Sequence, residues 1–132
     1  MSSRNYQGIV QTLNVQPRII AGSFAPNGSS AISAASNLGL GWSVAYVSTG
    51  LYRVTLTDSF PYLLSVVASL QVATADDKFA ANVAYTASTK VLDIRVYDLS
   101  TGALADVAAD AGNRINFMCL FQDSSVTPVY GA

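Results

Sequence analysis

The acidic side chains are the first place to look for chemistry. All eight are Asp, and the chain contains no Glu and no His. Without imidazole, the Ser–His–Asp and Cys–His arrangements for nucleophilic catalysis are out, and so are the common zinc sites. A glycosidase-type pair needs two carboxylates held across the scissile bond. Here Asp58, Asp76, Asp77, Asp98, Asp106, Asp110 and Asp123 fall instead where the chain turns, the position in which Asp accepts bonds from nearby backbone amides. Asp76 and Asp77 could hold a calcium ion with help from backbone carbonyls, but a solvated hairpin tip is the simpler reading. Cys119 is the single cysteine, so neither a disulfide within the chain nor a cysteine metal cage is available. It lies in an alternating apolar run with no imidazole to activate it, and reads as a small core residue. Asn27-Gly28-Ser29 fits the glycosylation triplet but follows no secretory signal, and Gly39-Leu40-Gly41 lacks the third Gly and the following helix of a nucleotide loop. The residue inventory implies no cofactor and no metal, and a protein that is not an enzyme.

The elements around these residues are strands. From Gly50 the chain alternates, with Tyr52, Val54 and Leu56 on one side and Arg53, Thr55 and Thr57 on the other, the mark of a strand with one buried and one wet face. Asp58, Ser59 and Pro61 break this edge-like strand at a corner, because Pro cannot donate to a ladder. Leu63–Val72 follows, apolar on both sides apart from Ser65, Ser69 and Gln71, and reads as an interior strand covered on both faces. This unit organises the rest. Before it, Ile19–Phe24 is a short strand ended by Pro26-Asn27-Gly28, and residues 27–41 form a Ser/Ala/Gly-rich loop with Ile32, Leu38 and Leu40 as anchors. Trp42–Val47 makes a hairpin with Leu51–Thr57 through Ser48-Thr49-Gly50. After it come Phe79–Thr86, with Phe79, Ala81, Val83 and Tyr85 on one face, and Val91–Asp98, with Leu92, Ile94 and Val96 inward. Residues 98–114 read as an ordered loop with at most one turn of helix. Ile115–Gln122 closes the set, with Ile115, Phe117, Cys119 and Phe121 together.

Seven or eight short strands with turns at roughly ten-residue spacing predict an all-β domain: an antiparallel sandwich, a jelly-roll-like fold or a small barrel. The predicted organisation is an extended N-terminal arm over 1–18, a β domain over 19–122 and a C-terminal tail over 123–132. The arm carries Arg4, Tyr6, Ile9, Val10, Leu13 and Arg18. It fits equally a strand of the domain's own sheet and a segment that docks on another subunit.

Only 11% of the 132 residues are charged, against about 25% in ordinary soluble domains. Interface cores are depleted in charge, so the low value points to a surface that faces other protein; a small neutral monomer is the plainer alternative. The formal net charge of −1 offers no basic stripe for phosphates, which argues against nucleic acid. No run approaches the ~20 apolar residues of a membrane-spanning helix, and MSSRNYQGIV has no apolar core of signal-peptide length. The expectation is synthesis in a cytoplasm, with no membrane partner. Among the seven tyrosines, Tyr97 on the outward side of its strand and Tyr6 and Tyr130 near the ends are the candidates for contacts between subunits.

The runs GLGWSVAYVSTGLYRVTLTDSFPYLLSVVASLQ, VLDIRVYDLSTGALAD and RINFMCLF carry a Gly-x-Tyr-x-Val-Thr-Leu strand, an Asp-Ser-Phe-Pro corner, an apolar strand and a final Asn-Phe strand. Over Leu38 to Phe121 this pattern resembles the head decoration, or cement, proteins of tailed bacteriophages, and it is also similar to the trimeric, jelly-roll-like tips of phage fibres. The first resemblance implies a virion structural protein on the capsid surface, made in the host cytoplasm, clustering as a homo-oligomer, with a trimer favoured, and bound to the major capsid protein. The second implies a receptor- or carbohydrate-binding module. The absence of a fibre shaft and the presence of an arm suit the cement protein better. Neither resemblance brings catalytic residues with it.

Overall fold

The computed structural model describes residues 17–123. Seven strands run β1 (Pro17–Phe24), β2 (Trp42–Ser48), β3 (Leu51–Leu56), β4 (Tyr62–Gln71), β5 (Lys78–Thr86), β6 (Val91–Asp98) and β7 (Arg114–Gln122). They form two antiparallel sheets, β1–β7–β4 and β2–β3–β6–β5, so of the architectures the turn spacing allows, the chain takes the sandwich. Read as a circle starting at β2, the neighbours are those of the seven-stranded immunoglobulin order ABED over CFG, with β1 in the place of the last strand.

Alternation builds the core. Tyr52, Val54 and Leu56 from β3, Leu92, Ile94 and Val96 from β6, and Ile115, Cys119 and Phe121 from β7 are all at most 2% exposed. Each large apolar side chain so buried contributes on the order of 1.5–3 kcal/mol. At the β3–β4 corner Phe60 stacks on Phe121 at 4.6 Å. The Tyr85 hydroxyl donates to Phe60 O at 2.6 Å and accepts from Phe60 N at 3.2 Å, so one side chain satisfies both backbone groups that the Pro61 corner withdraws from a ladder. The 99–113 loop contains no helix. It is pinned by Asp106, which accepts from Gly50 N at 2.9 Å and from the Tyr46 hydroxyl at 3.2 Å, and by Val107 N, which donates to the Tyr52 hydroxyl at 3.2 Å.

Five features differ from the sequence expectations. The strand at Leu51–Leu56, edge-like by its alternation, lies inside the larger sheet between β2 and β6. The doubly apolar β4, which suits an interior strand, is an edge of the smaller sheet, with Ser65, Val67 and Ser69 exposed. Alternation reports which face is wet and is silent on how many neighbours a strand has. In β5 the register shifts between Ala81 and Ala84, so the core takes Ala80, Val83 and Tyr85, while Phe79 is 38% exposed. A bulge of this kind moves everything on one side of it to the other face. The turn holding Asp76 and Asp77 is a crossing from the smaller sheet to the larger one rather than a hairpin tip. Of the three anchors assigned to the 27–41 loop, Ile32 packs on the core, but Leu38 and Leu40 are 61% and 88% exposed.

Candidate docking surface

The two sheets present unlike outer faces. On the larger sheet Arg53 and Asp93 stand opposite each other, joined by Nε–Oδ1 and Nη2–Oδ2 bonds of 2.8 and 3.0 Å, with Arg95 beside them on β6. That surface is charged at its centre, with the Phe79–Tyr97 stack to one side. The smaller sheet has rows set by its register: Ile19, Leu120 and Ser65; then Ala21, Met118 and Val67; then Ser23, Asn116 and Ser69. No charge stands in these rows. Ile19, Met118 and Val67 are 54%, 55% and 59% exposed, although a solvated strand would place polar residues there. Leu38 bridges Ser23 across the edge of β1 and continues the last row.

Arg114 ends this face, but its charge is turned away from it. Its Nε donates to Ser23 Oγ at 2.6 Å and its Nη2 to the carbonyls of Ser36 and Ser23 at 2.6 and 3.1 Å, fastening the short 3₁₀ turn Ala34–Ser36 to β1 and β7. Two shallow depressions of about 210 and 200 Å³ flank Met118, the first between Val67, Ser69 and Asn116 and the second between Ile19, Ser65 and Leu120. Both are smaller than the ≈300 Å³ at which small-molecule pockets begin, and neither has convergent charged groups. A third hollow of about 300 Å³ lies between Pro26, Asn27, Ser33, Ser36 and Asp110 and is open to solvent.

The groups with chemistry are engaged elsewhere. Cys119 lies under the apolar face at 0% exposure, and burial pushes its thiol up to about 12. Such a thiol stays protonated and unreactive at neutral pH. Lys78 Nζ lies 2.8 Å from Asp76 Oδ2 and holds that carboxyl below its usual range. Asp98 is lowered by the Ser100 hydroxyl and amide that cap it at 2.6 and 2.9 Å. Among the described residues no group of three metal-ligating side chains occurs.

Of the residues singled out from sequence, Arg4, Tyr6, Ile9, Val10, Leu13 and Tyr130 lie outside the described residues. Arg18, counted with the arm, is the second residue of β1, paired with Phe121, and its Nε lies 3.4 Å from Asp123 Oδ2 on an exposed margin. Tyr97 stacks on Phe79 at 5.8 Å on the other sheet, so the structure does not bring Arg18 and Tyr97 together. Sequence reasoning missed Ile19, Val67 and Met118. The signal was present, since Met118 and Leu120 are apolar in the half of INFMCLFQ that alternation assigns to solvent.

Compared with protein-family models, with characterised proteins and with solved structures, the chain matches none of them.

Proposed function

We propose that this protein is a structural subunit of a phage virion, which docks on the capsid through the outer face of its smaller sheet. The observation that carries the reading is the contrast between the two outer faces. One carries Arg53, Asp93 and Arg95 beside the Phe79–Tyr97 stack; the other is an uncharged apolar surface centred on Met118. A flat face of this kind fits a protein surface better than a small molecule, since among the described residues its hollows are shallow and no groups converge on one point. The resemblance of residues 38–121 to head decoration proteins supplies the partner, the major capsid protein. Each contact is modest, and repetition over the lattice supplies the strength that opposes bursting by packed DNA.

Co-sedimentation with empty heads of the parent phage tests this. The wild-type chain should bind saturably. Met118→Lys should bind at least about tenfold more weakly while changing stability by no more than about 0.5 kcal/mol, because Met118 is already half exposed. Undiminished binding by the variant would remove the face from the reading, and no binding by the wild type would remove the capsid. The Phe79–Tyr97 stack favours a second reading, a carbohydrate-binding module. Glycan binding lost on Tyr97→Ala would put that reading first.

A further inference from the structure

The edge strand β4 adjoins the docking face. Among the described residues β4 is laddered only to β7, and β5, which passes near β4 at the margin of the sandwich, is laddered to β6 alone. Proteins guard exposed edges with charge, Pro or bulges. Here β1 opens with Pro17 and Arg18, and β5 opens with Lys78 and carries a bulge. The ten residues of β4, YLLSVVASLQ, hold no charge and no Pro, and their register shift lies at one end, between Leu63 and Ser65.

The edge is also unfinished on its inner side. Val66, Ala68 and Leu70 point to the core but are only half buried, whereas Ile115, Phe117 and Cys119 on the adjacent strand are at most 4% exposed. A further strand beside β4 would complete that burial. In the immunoglobulin strand order β4 occupies position C, the edge at which the nine-stranded version of that sandwich adds its extra strands.

The sequence of β4 names the occupant. From Leu64 to Leu70 it reads Leu-Ser-Val-Val-Ala-Ser-Leu, nearly the same in both directions about Val67. A twofold contact requires a surface complementary to itself. We propose that β4 pairs antiparallel with β4 of a second copy, centred on Val67, so that two smaller sheets join into one of six strands. In that register Val67 meets Val67 on the twofold axis, Ser65 meets Ser69, Val66 meets Ala68, and Leu64 lies against Leu70. Polar faces polar and apolar faces apolar, and no like charges meet. The apolar outer faces become continuous across the axis. This contact is distinct from docking on the capsid, and from the threefold clustering that the resemblance implies.

Two measurements on the full chain test the pairing. Light scattering should give a mass twice the 13.8 kDa of one chain. Mild oxidation of Val67→Cys should give a covalent dimer, because directly opposed residues lie within disulfide range. Ser65→Cys alone should link at least about tenfold more slowly, since the register separates its two copies by roughly 13 Å along the strands. Combining it with Ser69→Cys should restore the rate. Val67 is 59% exposed, so its substitution leaves the fold intact, and the native thiol of Cys119 is fully buried. A monomeric or trimeric mass would overturn the pairing, as would equal linking at Ser65→Cys and Val67→Cys. Met118→Lys, one strand away from the edge, should leave the dimer mass unchanged. Its dissociation would show that the copies meet face to face, and would overturn the strand pairing while leaving capsid docking to its own assay.

Discussion

Gly22 exists to make room for Trp42, and adding one methyl group there should unfasten that end of the sandwich. Gly22 stands opposite Phe117 on β7, and Trp42 packs edge-on against Phe117 at 5.0 Å and near Phe24 at 6.3 Å. A Cβ at position 22 would lie 2.6 Å from Trp42 Nε1 and closer still to Cε2 and Cζ2. The indole must retreat by roughly 1 Å, but the Phe24 and Phe117 rings and the Gly39 backbone beside it leave it little room. Overpacking a core costs about 1–3 kcal/mol, and expelling the half-buried ring forfeits part of the about 3–5 kcal/mol that truncating a buried Trp costs. Gly22→Ala should therefore destabilise by about 2–4 kcal/mol, which lowers the Tm by roughly 7–14 °C for a domain of this size. Trp42 is the only tryptophan, so its emission reports its own displacement and should shift to the red. The decisive assay is a double-mutant cycle by urea denaturation. With Trp42→Leu in place the clash is gone, and Gly22 is not among the glycines with positive φ. In that background Gly22→Ala should be neutral, or stabilising by about 0.5 kcal/mol through the lost freedom of the unfolded chain. A penalty of 2 kcal/mol in both backgrounds would refute the reasoning, because the cost would then lie in the backbone.

Asp106→Ala should cost about 1–3 kcal/mol in urea denaturation, since it strands the buried Gly50 amide and frees the 99–113 loop; Asp106→Asn, which keeps an acceptor for Gly50, should cost less. Tyr85→Phe should cost about 1–2 kcal/mol by the same measurement, because the backbone of Phe60 loses its partner at the corner. For Cys119 the folded value of about 12 lies above the unfolded one near 9. The stability it contributes is complete below pH 9 and is lost as the pH rises toward 12, with a slope of at most about 1.4 kcal/mol per unit. Tyr52, also raised by burial, adds in the same direction. Cys119→Ala should flatten the alkaline limb, and equal slopes in the two proteins would count against a buried thiol.

The strands were legible because their two-residue period survives any tertiary arrangement. Val91–Asp98 and Ile115–Gln122 are found where alternation puts them, with the inward residues it assigns. Strand order was not legible, and the misplacement of β3 and β4 shows why. Thr55 and Arg53 face water whether or not β3 has two neighbours, whereas Val67 is apolar although it stands 59% exposed on the outer face of β4. The bulge in β5 also left no mark, since Ala81-Asn82-Val83-Ala84 offers neither the Gly nor the Pro that punctuates many strands. The roles of three tyrosines were not legible either. Tyr46, Tyr52 and Tyr85 use their hydroxyls to hold loops and a corner, a function that depends on long-range geometry and not on spacing.

Charge is where composition and structure meet most directly. A count of 11% charged residues says that some surface is uncharged, but not which. The register answers this. Arg53, Asp93 and Arg95 gather on one sheet, Asp76, Lys78, Asp98 and Asp106 serve turns and loops, and the rows centred on Met118 keep none. An uncharged face and an uncharged edge on the same three strands have a common consequence. The proposed pairing at the edge would double the width of the face without adding a new surface, and two faces held together would release from a repeated lattice far more slowly than either alone. A chain too small to bury a large interface by itself gains one by symmetry. In the proposed pairing a Lys or an Asp at Val67 would meet its own copy across the axis and repel it, which gives the absence of charge at the centre of β4 a physical reason.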